Sequence, residues 1–475
     1  MSFFCRNDYY LSVPSAAIFS FWGLMILKVE LPGGYSHEQD YVAQCLLGDF
    51  LGVQYEVAQA AAGRWVRIHD GVGHELLIAA DLFMRPRSTW LTRASLPREP
   101  LAWWDTSDIP TKLGDKPLPV LYGKPGYTRN ETAIRLDPDV FGTCFFFLSR
   151  FEEVIEQKRD AHDRFSAADS LSSRYGFTMR PIVDEYIEVL WACLQALWPD
   201  LRRRRRAFRQ NLTHDVDQLR LFLPRLLAGN LKHRRFERMI SDAKLWLSIK
   251  AGRAADPYDT FERIMDMSEA AGSVSTFNFI TKWSHPLYDP AYFFNCSQTR
   301  ALLKRISVRG HQIGLHASYG SYGNGGQIAR EFAILKRVCS DTGISQNRWG
   351  ARQHFLRWRT PDTFQHLENA GLDFDSTLGY ADAAGFRCGT CHEFQVFNLR
   401  TRRTLRLRER PLIAMDCSVM DAQYQNLGAT TAAFDYLKAL KDTCRRYDGE
   451  FTLLWHNTRL SEPADASLYR AIVAS

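Results

Sequence analysis

The sequence predicts an α/β protein in two parts, a mixed α+β domain over residues 1–205 and a (β/α) barrel over residues 206–475. Three observations lead there. From Phe208 onward, strand signals alternate with helix signals, the pattern that gives parallel strands joined by helices. Roughly seven such repeats occupy about 270 residues, near the usual size of a (β/α) barrel. Finally, successive expected strands end on Asp, His, Arg, Asp and His, as when several strands supply one mouth at their C-terminal ends.

The first part is punctuated differently. The most apolar early stretch, Ala16 to Leu27, is shorter than the roughly 20 residues that span a bilayer. It lacks the basic start and small-residue cleavage site of a secretory signal. It is expected as a buried strand or helix, and the cytoplasm is the expected compartment. Ser36 to Val57 reads as a helix with Tyr41, Val42, Cys45, Leu46 and Phe50 on one face, then a break at Gly52 and a strand. Prolines and glycines between Pro110 and Gly126 predict turns between short strands. Phe145 to Glu153 is apolar enough for a core helix or strand. Arg159 to Phe165 is dense in charge, either a surface salt-bridge cluster or a contact with the second domain or its substrate. Arg180-Pro181 opens a helix running to Trp198.

The composition, 45% hydrophobic and 24% charged over 475 residues, is that of an ordinary globular protein with ample core. The formal net charge of +7 is mild, and part of it sits in the run Arg202 to Arg206. Such a run reads first as a solvated helix end or linker and second as a phosphate contact; without aromatic-rich surroundings no nucleic-acid partner is expected. Ten cysteines show no disulfide-framework spacing, which fits a reducing compartment. Cys388-Gly389-Thr390-Cys391-His392 matches the C-x-x-C-H pattern of covalent haem attachment. That chemistry takes place outside the cytoplasm, and a five-residue match arises readily by chance.

In the second part, a strand runs to Asp217. Asp256-Pro257 has the character of a helix start, with Phe261, Ile264 and Met265 inward and Gly272 at the end. Val274 to Ile280 reads as a strand, then a helix carries Leu302, Leu303 and Ile306, and Gly310 breaks it before His311 to His316. A helix over Ile328 to Val338, a strand into Arg352 and a helix from Pro361 to Ala370 follow. Strands are expected at Phe374 to Leu378, Leu412 to Met415 and Phe451 to Trp455, with a helix from about Thr430 to Arg446.

The chemistry is expected to begin at Asn211-Leu212-Thr213-His214-Asp215-Val216-Asp217. On a strand, residues i and i+2 share a face, so Asp215 and Asp217 project together. Two such anions would serve either as caps for the next helix or as a cation site, where the ion offsets their repulsion. His316, Arg352, His354, Asp416 and His456 at later strand ends favour the second reading.

The order of these motifs resembles the polysaccharide deacetylase family, also called the NodB-homology domain or carbohydrate esterase family 4. Thr213-His214-Asp215-Val216-Asp217 resembles its Thr-Phe-Asp-Asp motif with one residue inserted. Gly310-His311-Gln312-Ile313-Gly314-Leu315-His316 is similar to its histidine motif, Arg352 and Asp416 to its Arg and Asp motifs, and Leu454-Trp455-His456 to its closing Leu-x-His. Residues 36 to 200 resemble the uncharacterised domain often found ahead of such deacetylases.

The resemblance implies a distorted (β/α) barrel and a divalent cation, most simply Zn2+, with Asp217 and His316 as ligands. The family's second histidine, four positions after the first, is replaced by Gly320. The third ligand is then His354, or a water or side chain from the Ser318 to Asn324 loop, or the metal site is weak or lost; His311 is the poorer candidate. Asp215 would act as general base, His456 as the acid, Arg352 as the holder of Asp215, and Asp416 as support for His456 or Arg352. Tyr380, Asp382 and Arg387, in a polar and aromatic loop, are expected either as sugar contacts or as ordinary loop structure, and Trp455 either as a stacking sugar contact or as a core residue. The implied partner is an N-acetylated saccharide, on a surface polysaccharide or its precursor. A saccharide-binding protein that keeps the fold without catalysis is the alternative.

Overall fold

The computed structural model describes residues 25–59, 63–111, 113, 116–221, 236–289 and 292–475. The expected element at Ala16 to Leu27 lies outside them as far as Leu24; its end, Leu27, begins a strand. Among the described residues, eight strands precede residue 205: β1 (Leu27–Leu31), β2 (Tyr55–Gln59), β3 (Trp65–His69), β4 (Glu75–Ala79), β5 (Ala102–Trp104), β6 (Leu118–Val120), β7 (Gly123–Arg129) and β8 (Ala133–Pro138). Six of them form a mixed sheet in the order β2-β1-β3-β4-β8-β7, and β5 pairs with β6. The helices Ser36–Ala43, Val140–Leu148 and Ile182–Leu197 contribute buried apolar faces.

The second part is built on β9 (Arg209–Val216), β10 (Ser275–Phe279), β11 (Gln312–Ala317), β12 (Gly350–Gln353), β13 (Phe374–Asp375), β14 (Phe394–Asn398), β15 (Arg403–Glu409), β16 (Ala414–Met415) and β17 (Glu450–Leu454). They form one sheet in the order β14-β15-β13-β12-β11-β10-β9-β17-β16, parallel throughout except for the β14–β15 hairpin. Among the described residues β14 and β16 are edges, so the sheet is open rather than hydrogen-bonded into a ring. All five residues of β10 are buried, as befits a parallel strand covered on both faces. The helix Gly325–Asp341 buries Ile328, Phe332, Leu335, Val338 and Cys339 at helical spacing. Its Asn324 side chain accepts from the Gln327 amide at 3.0 Å and caps it.

Several expectations shift. The helix expected from Asp256-Pro257 is Phe261–Ala270, because the Asp256 carboxylate accepts from the amides of Leu221 and Tyr258 and holds a turn instead. The Ser36 helix widens to a π-helical stretch, Gln44–Leu51, before Gly52. The helices Phe236–Lys250 and Pro463–Ala474 and the β14–β15 hairpin were not anticipated. No helix among the described residues is long and apolar enough to cross a membrane.

One cluster of buried apolar side chains runs through both parts, from Leu27 to Val473. Polar ties reinforce it. Glu153 accepts from Arg150 Nε at 2.9 Å and from Arg387 Nε and Nη2 at 2.9 and 2.6 Å, all within a buried triad. Arg402 makes a bidentate pair with Glu38 at 2.6 and 2.8 Å. The arginine run is not a free linker: Arg203 pairs with Glu188 at 2.6 Å, and Arg204 and Arg206 both donate to the Asp49 carbonyl. Cys388 and Cys391 are free and buried in a tight turn against the helix Ile182–Leu197, where Cys391 Sγ donates to Asp184 at 3.1 Å. Gly389 has φ +66° there, and a Cβ would stand 2.9 Å from the Phe147 ring.

Candidate metal centre

The strand order brings together residues far apart in sequence. β9 lies between β10 and β17, so the same-face side chains Thr213, Asp215 and Asp217 rise at its C-terminal end, beside His456 after β17. β11 and β12 follow on the other side of β10, with His316 in register with Arg352. Asp217 Oδ1 is 3.4 Å from His316 Nε2 and 3.5 Å from His354 Nε2, and its Oδ2 is 3.7 Å from His456 Nε2. Asp215 Oδ2 is 3.6 Å from the same His316 nitrogen.

These contacts suit a cation better than hydrogen bonds. Asp217 Oδ1 is buried and has no hydrogen-bond partner, and N–H···O bonds cluster near 2.9 Å, well inside 3.4. His316 Nδ1 donates to the Arg352 carbonyl at 3.0 Å, which leaves the lone pair of its neutral ring on Nε2. His354 Nδ1 faces Asp289 Oδ1 at 3.0 Å, the carboxylate–histidine arrangement that aims Nε2 outward. Two ligands of one tetrahedral zinc ion stand about 3.4 Å apart, the spacing from Asp217 Oδ1 to each imidazole. Burial alone would lower the His354 pKa, but Asp217 and Asp289 push it up to about 9. Burial would raise Asp217, yet His354, His316 and His456 hold it well below the usual carboxylate range. Positive charge is therefore favoured at this point.

Two other groups bring potential ligand atoms together among the described residues, Asp184–Cys391–His392 and Asp416–Cys417–His456. Their atoms are already paired. Burial pushes the Cys391 thiol well up, and it donates to Asp184, while His392 Nδ1 contacts Arg206 at 3.2 Å. Asp416 Oδ1 and Oδ2 take His456 Nδ1 and the His456 amide at 2.8 and 2.7 Å.

The catalytic candidates stand around the Asp217 group. Asp215 Oδ1 accepts from Asn278 Nδ2 at 2.9 Å and lies 3.6 Å from Arg352 Nη1. Gly314 makes room for that asparagine, since a Cβ there would sit 2.1 Å from Asn278 Oδ1. Arg352 is fully buried and is fixed by Ser376 and by Thr213 Oγ1 at 2.9 Å. Burial works against the His456 charge, but Asp416 outweighs it and raises the pKa well above the usual histidine range. Asp416 thus supports His456, not Arg352.

Beyond His354 the backbone is strained. Phe355 and Leu356 have φ +61° and +55°, left-handed values uncommon for bulky residues and costing on the order of 1–3 kcal/mol each. Arg164, 7% exposed, donates to the Phe355 carbonyl at 3.1 Å and to Tyr424 Oη at 3.1 Å. Arg357 donates to the His162 carbonyl at 2.7 Å and to the Tyr319 carbonyl at 2.7 Å. The charged loop at Arg159 to Phe165 thus packs against the second part at the site.

Of the sequence-predicted residues, Asp215, Asp217, His316, Arg352, His354, Asp416 and His456 come together. The structure does not bring Tyr380, Asp382, Arg387 and Trp455 with them as open sugar contacts. Tyr380 is buried beside Phe165, Asp382 accepts from the Ala167 amide and Ser166 hydroxyl, Arg387 is sealed in the triad with Glu153, and Trp455 packs against Tyr469. Asp382 and Arg387 spend their polar groups on joining the two parts, which spacing alone did not reveal. Nor does the Ser318 to Asn324 loop add a side chain to the group: Ser318 Oγ donates to Glu331 and Ser321 Oγ to the Ser318 carbonyl. Asn278 and Asp289 escaped the sequence reading. Asp289 sits in a loop after β10 with no motif around it; only a search for a carboxylate behind His354 would have found it.

A sequence model described as a family of unknown function (DUF7033) matches residues 28–199. No curated protein matches the chain. Among solved structures, one described as a polysaccharide deacetylase from Mycobacterium smegmatis is 18% identical, over 58% of this chain and 85% of that one, with TM-score 0.38. Puue allantoinase is 13% identical over 58% and 85%, TM-score 0.35. A structure described as a polysaccharide deacetylase from Pseudomonas aeruginosa PAO1 is 15% identical over 49% and 69%, TM-score 0.33. With likeness this low, the side chains themselves have to carry a functional reading.

Proposed function

We propose that the chain is a metal-dependent hydrolase that removes N-acetyl groups from amino sugars of a surface polysaccharide or its precursor. On this reading residues 206–475 carry the catalytic groups, and residues 1–205 are an α+β domain packed against them. The observation that carries it is the buried, unpartnered Asp217 Oδ1 facing two imidazole nitrogens whose rings are fixed from behind. Asp217, His316 and His354 would hold the ion. A divalent cation such as Zn2+ supplies Lewis acidity toward an amide carbonyl and makes water acidic near neutral pH.

The chain's own groups then divide the proton work. Asp215, steadied through Oδ1 by Asn278 and Arg352, takes a proton from the attacking water on Oδ2. His456, kept protonated by Asp416, delivers a proton to the departing amine nitrogen. Water adds to the carbonyl carbon, the C–N bond breaks, and acetate and a free amino sugar result. Arg352 keeps its charge beside Asp215 because it cannot be deprotonated under ordinary conditions.

The test is zinc stoichiometry together with acetate release from N-acetylhexosamine oligomers. One zinc per chain, and release that Asp215→Asn abolishes, support the reading. Protein that takes up no metal from added zinc while still binding saccharide would overturn it in favour of a binding protein.

A further inference from the structure

We propose that the loop from Asp160 to Arg164, within the stretch matched by the family of unknown function, is a positioning element for the third metal ligand, with Arg164 as its positioning residue. This rests on reading Asp217, His316 and His354 as the metal site.

The pose of His354 is fixed by the turn that follows it and by the carboxylate behind its ring. Both are tied to this loop. Phe355 and Leu356 carry the turn at positive φ, a conformation that persists only where the surroundings over-determine it. Arg164 Nη1 donates to the Phe355 carbonyl at 3.1 Å, and the His162 ring packs 4.8 Å from the Phe355 ring, which in turn lies 4.8 Å from that of His354. Behind the ligand, Asp289 Oδ1 takes His354 Nδ1 and the Tyr319 amide, at 3.0 and 2.8 Å. Tyr319 is held by Arg357 on its carbonyl, and its hydroxyl meets His162 Nδ1 at 3.0 Å. Arg357 also grips the His162 carbonyl at 2.7 Å.

The loop is itself rigid enough to act this way. Asp160 accepts from the amides of His162 and Arg164, and its Oδ2 takes Arg164 Nε at 2.7 Å. Asp163 Oδ2 reaches across to Tyr322 Oη and to Arg359 Nη2 at 2.8 Å. The consequence is a division of labour: His316 stands within β11 and Asp217 directly follows β9, whereas His354 follows β12 into a strained turn that the N-terminal part clamps.

The experiment measures zinc affinity on the full chain by competition with a chromophoric chelator, alongside the visible absorption spectrum of the cobalt(II)-loaded protein. Arg164→Met should weaken zinc binding by up to about 10-fold, the low end of the cost of removing a group bonded directly to a metal ligand, and should alter the cobalt spectrum; Arg164→Lys should recover part of the loss. Asp160→Ala, at an exposed position, should shift affinity the same way and covers the case in which Arg164→Met does not fold. Wild-type affinity and an unchanged cobalt spectrum in folded Arg164→Met, or in Asp160→Ala if only that variant folds, would overturn the positioning role. A wild-type chain that binds neither metal would instead overturn the underlying metal reading.

Discussion

Replacing Glu153 with Gln should separate the energetics of the join between the two parts from the chemistry of the site. Glu153 is about 1% exposed and meets two guanidinium groups, Arg150 from its own part and Arg387 from the other, which are equally buried. Burial would raise its pKa, but Arg387 and Arg150 bring it down from 4.5 to about 2. A depression of that size corresponds to roughly 3 kcal/mol of stability. The sign follows from the direction of the shift. The contribution is fully present above pH 4.5 and is lost as pH falls toward 2, because the unfolded chain takes the proton first. Breaking a buried ion pair costs about 3–5 kcal/mol in general, which agrees. In urea denaturation followed by tryptophan fluorescence, Glu153→Gln should therefore be destabilised by about 3–5 kcal/mol at pH 7, and the gap from wild type should close as pH approaches 2. A gap below about 1 kcal/mol at neutral pH, as for a solvent-exposed pair, or one that ignores pH, would show that the triad does not hold the halves together.

Other outcomes follow from the site. Asp217→Asn should abolish the rise in melting temperature that zinc gives the wild type; at 100 times the dissociation constant a bound ion is worth about 2.7 kcal/mol, so calorimetry resolves the difference. Asp416→Asn removes the carboxylate that keeps His456 charged, so the high-pH limb of kcat/KM should move toward neutrality, and a limb that stays in place would remove His456 from the acid role. Tyr380→Phe deletes a buried hydroxyl without a hydrogen-bond partner. It should leave KM unchanged and stability within about 1 kcal/mol of wild type, whereas a KM rise of several-fold would return Tyr380 to the substrate.

The parts of this architecture that follow short-range rules could be read from the sequence. Alternation on β9 put Asp215 and Asp217 on one face, and the apolar periodicity around Ile328 to Val338 gave the helix on which the sheet packs. His354 was one of several options for the third ligand because nothing local distinguishes it: its suitability comes from Asp289, 65 positions away and bonded to its ring. Asp382 and Arg387, two of the expected sugar contacts, are engaged elsewhere for a related reason. A polar and aromatic loop looks the same in sequence whether it faces a ligand or a neighbouring domain, and Asp382 and Arg387 find their partners at Ala167 and Glu153. The openness of the sheet depends on whether β14 and β16 meet, a long-range question that strand counting does not answer.

The buried Glu153 triad, the Asp184 turn and the shared apolar cluster also limit how this protein can be divided. Cutting at residue 205 would strip Arg387 of its counter-ion, release the amide and thiol of Cys391 from Asp184, and expose Phe397, which packs on Tyr41 and Phe145. The isolated C-terminal piece would present a sticky, positively charged wound, and its natural fate is aggregation rather than a minimal enzyme. The two segments are therefore interdependent as a unit of inheritance: a gene fusion that swapped the first for an unrelated module would have to rebuild that wall before any chemistry could be selected.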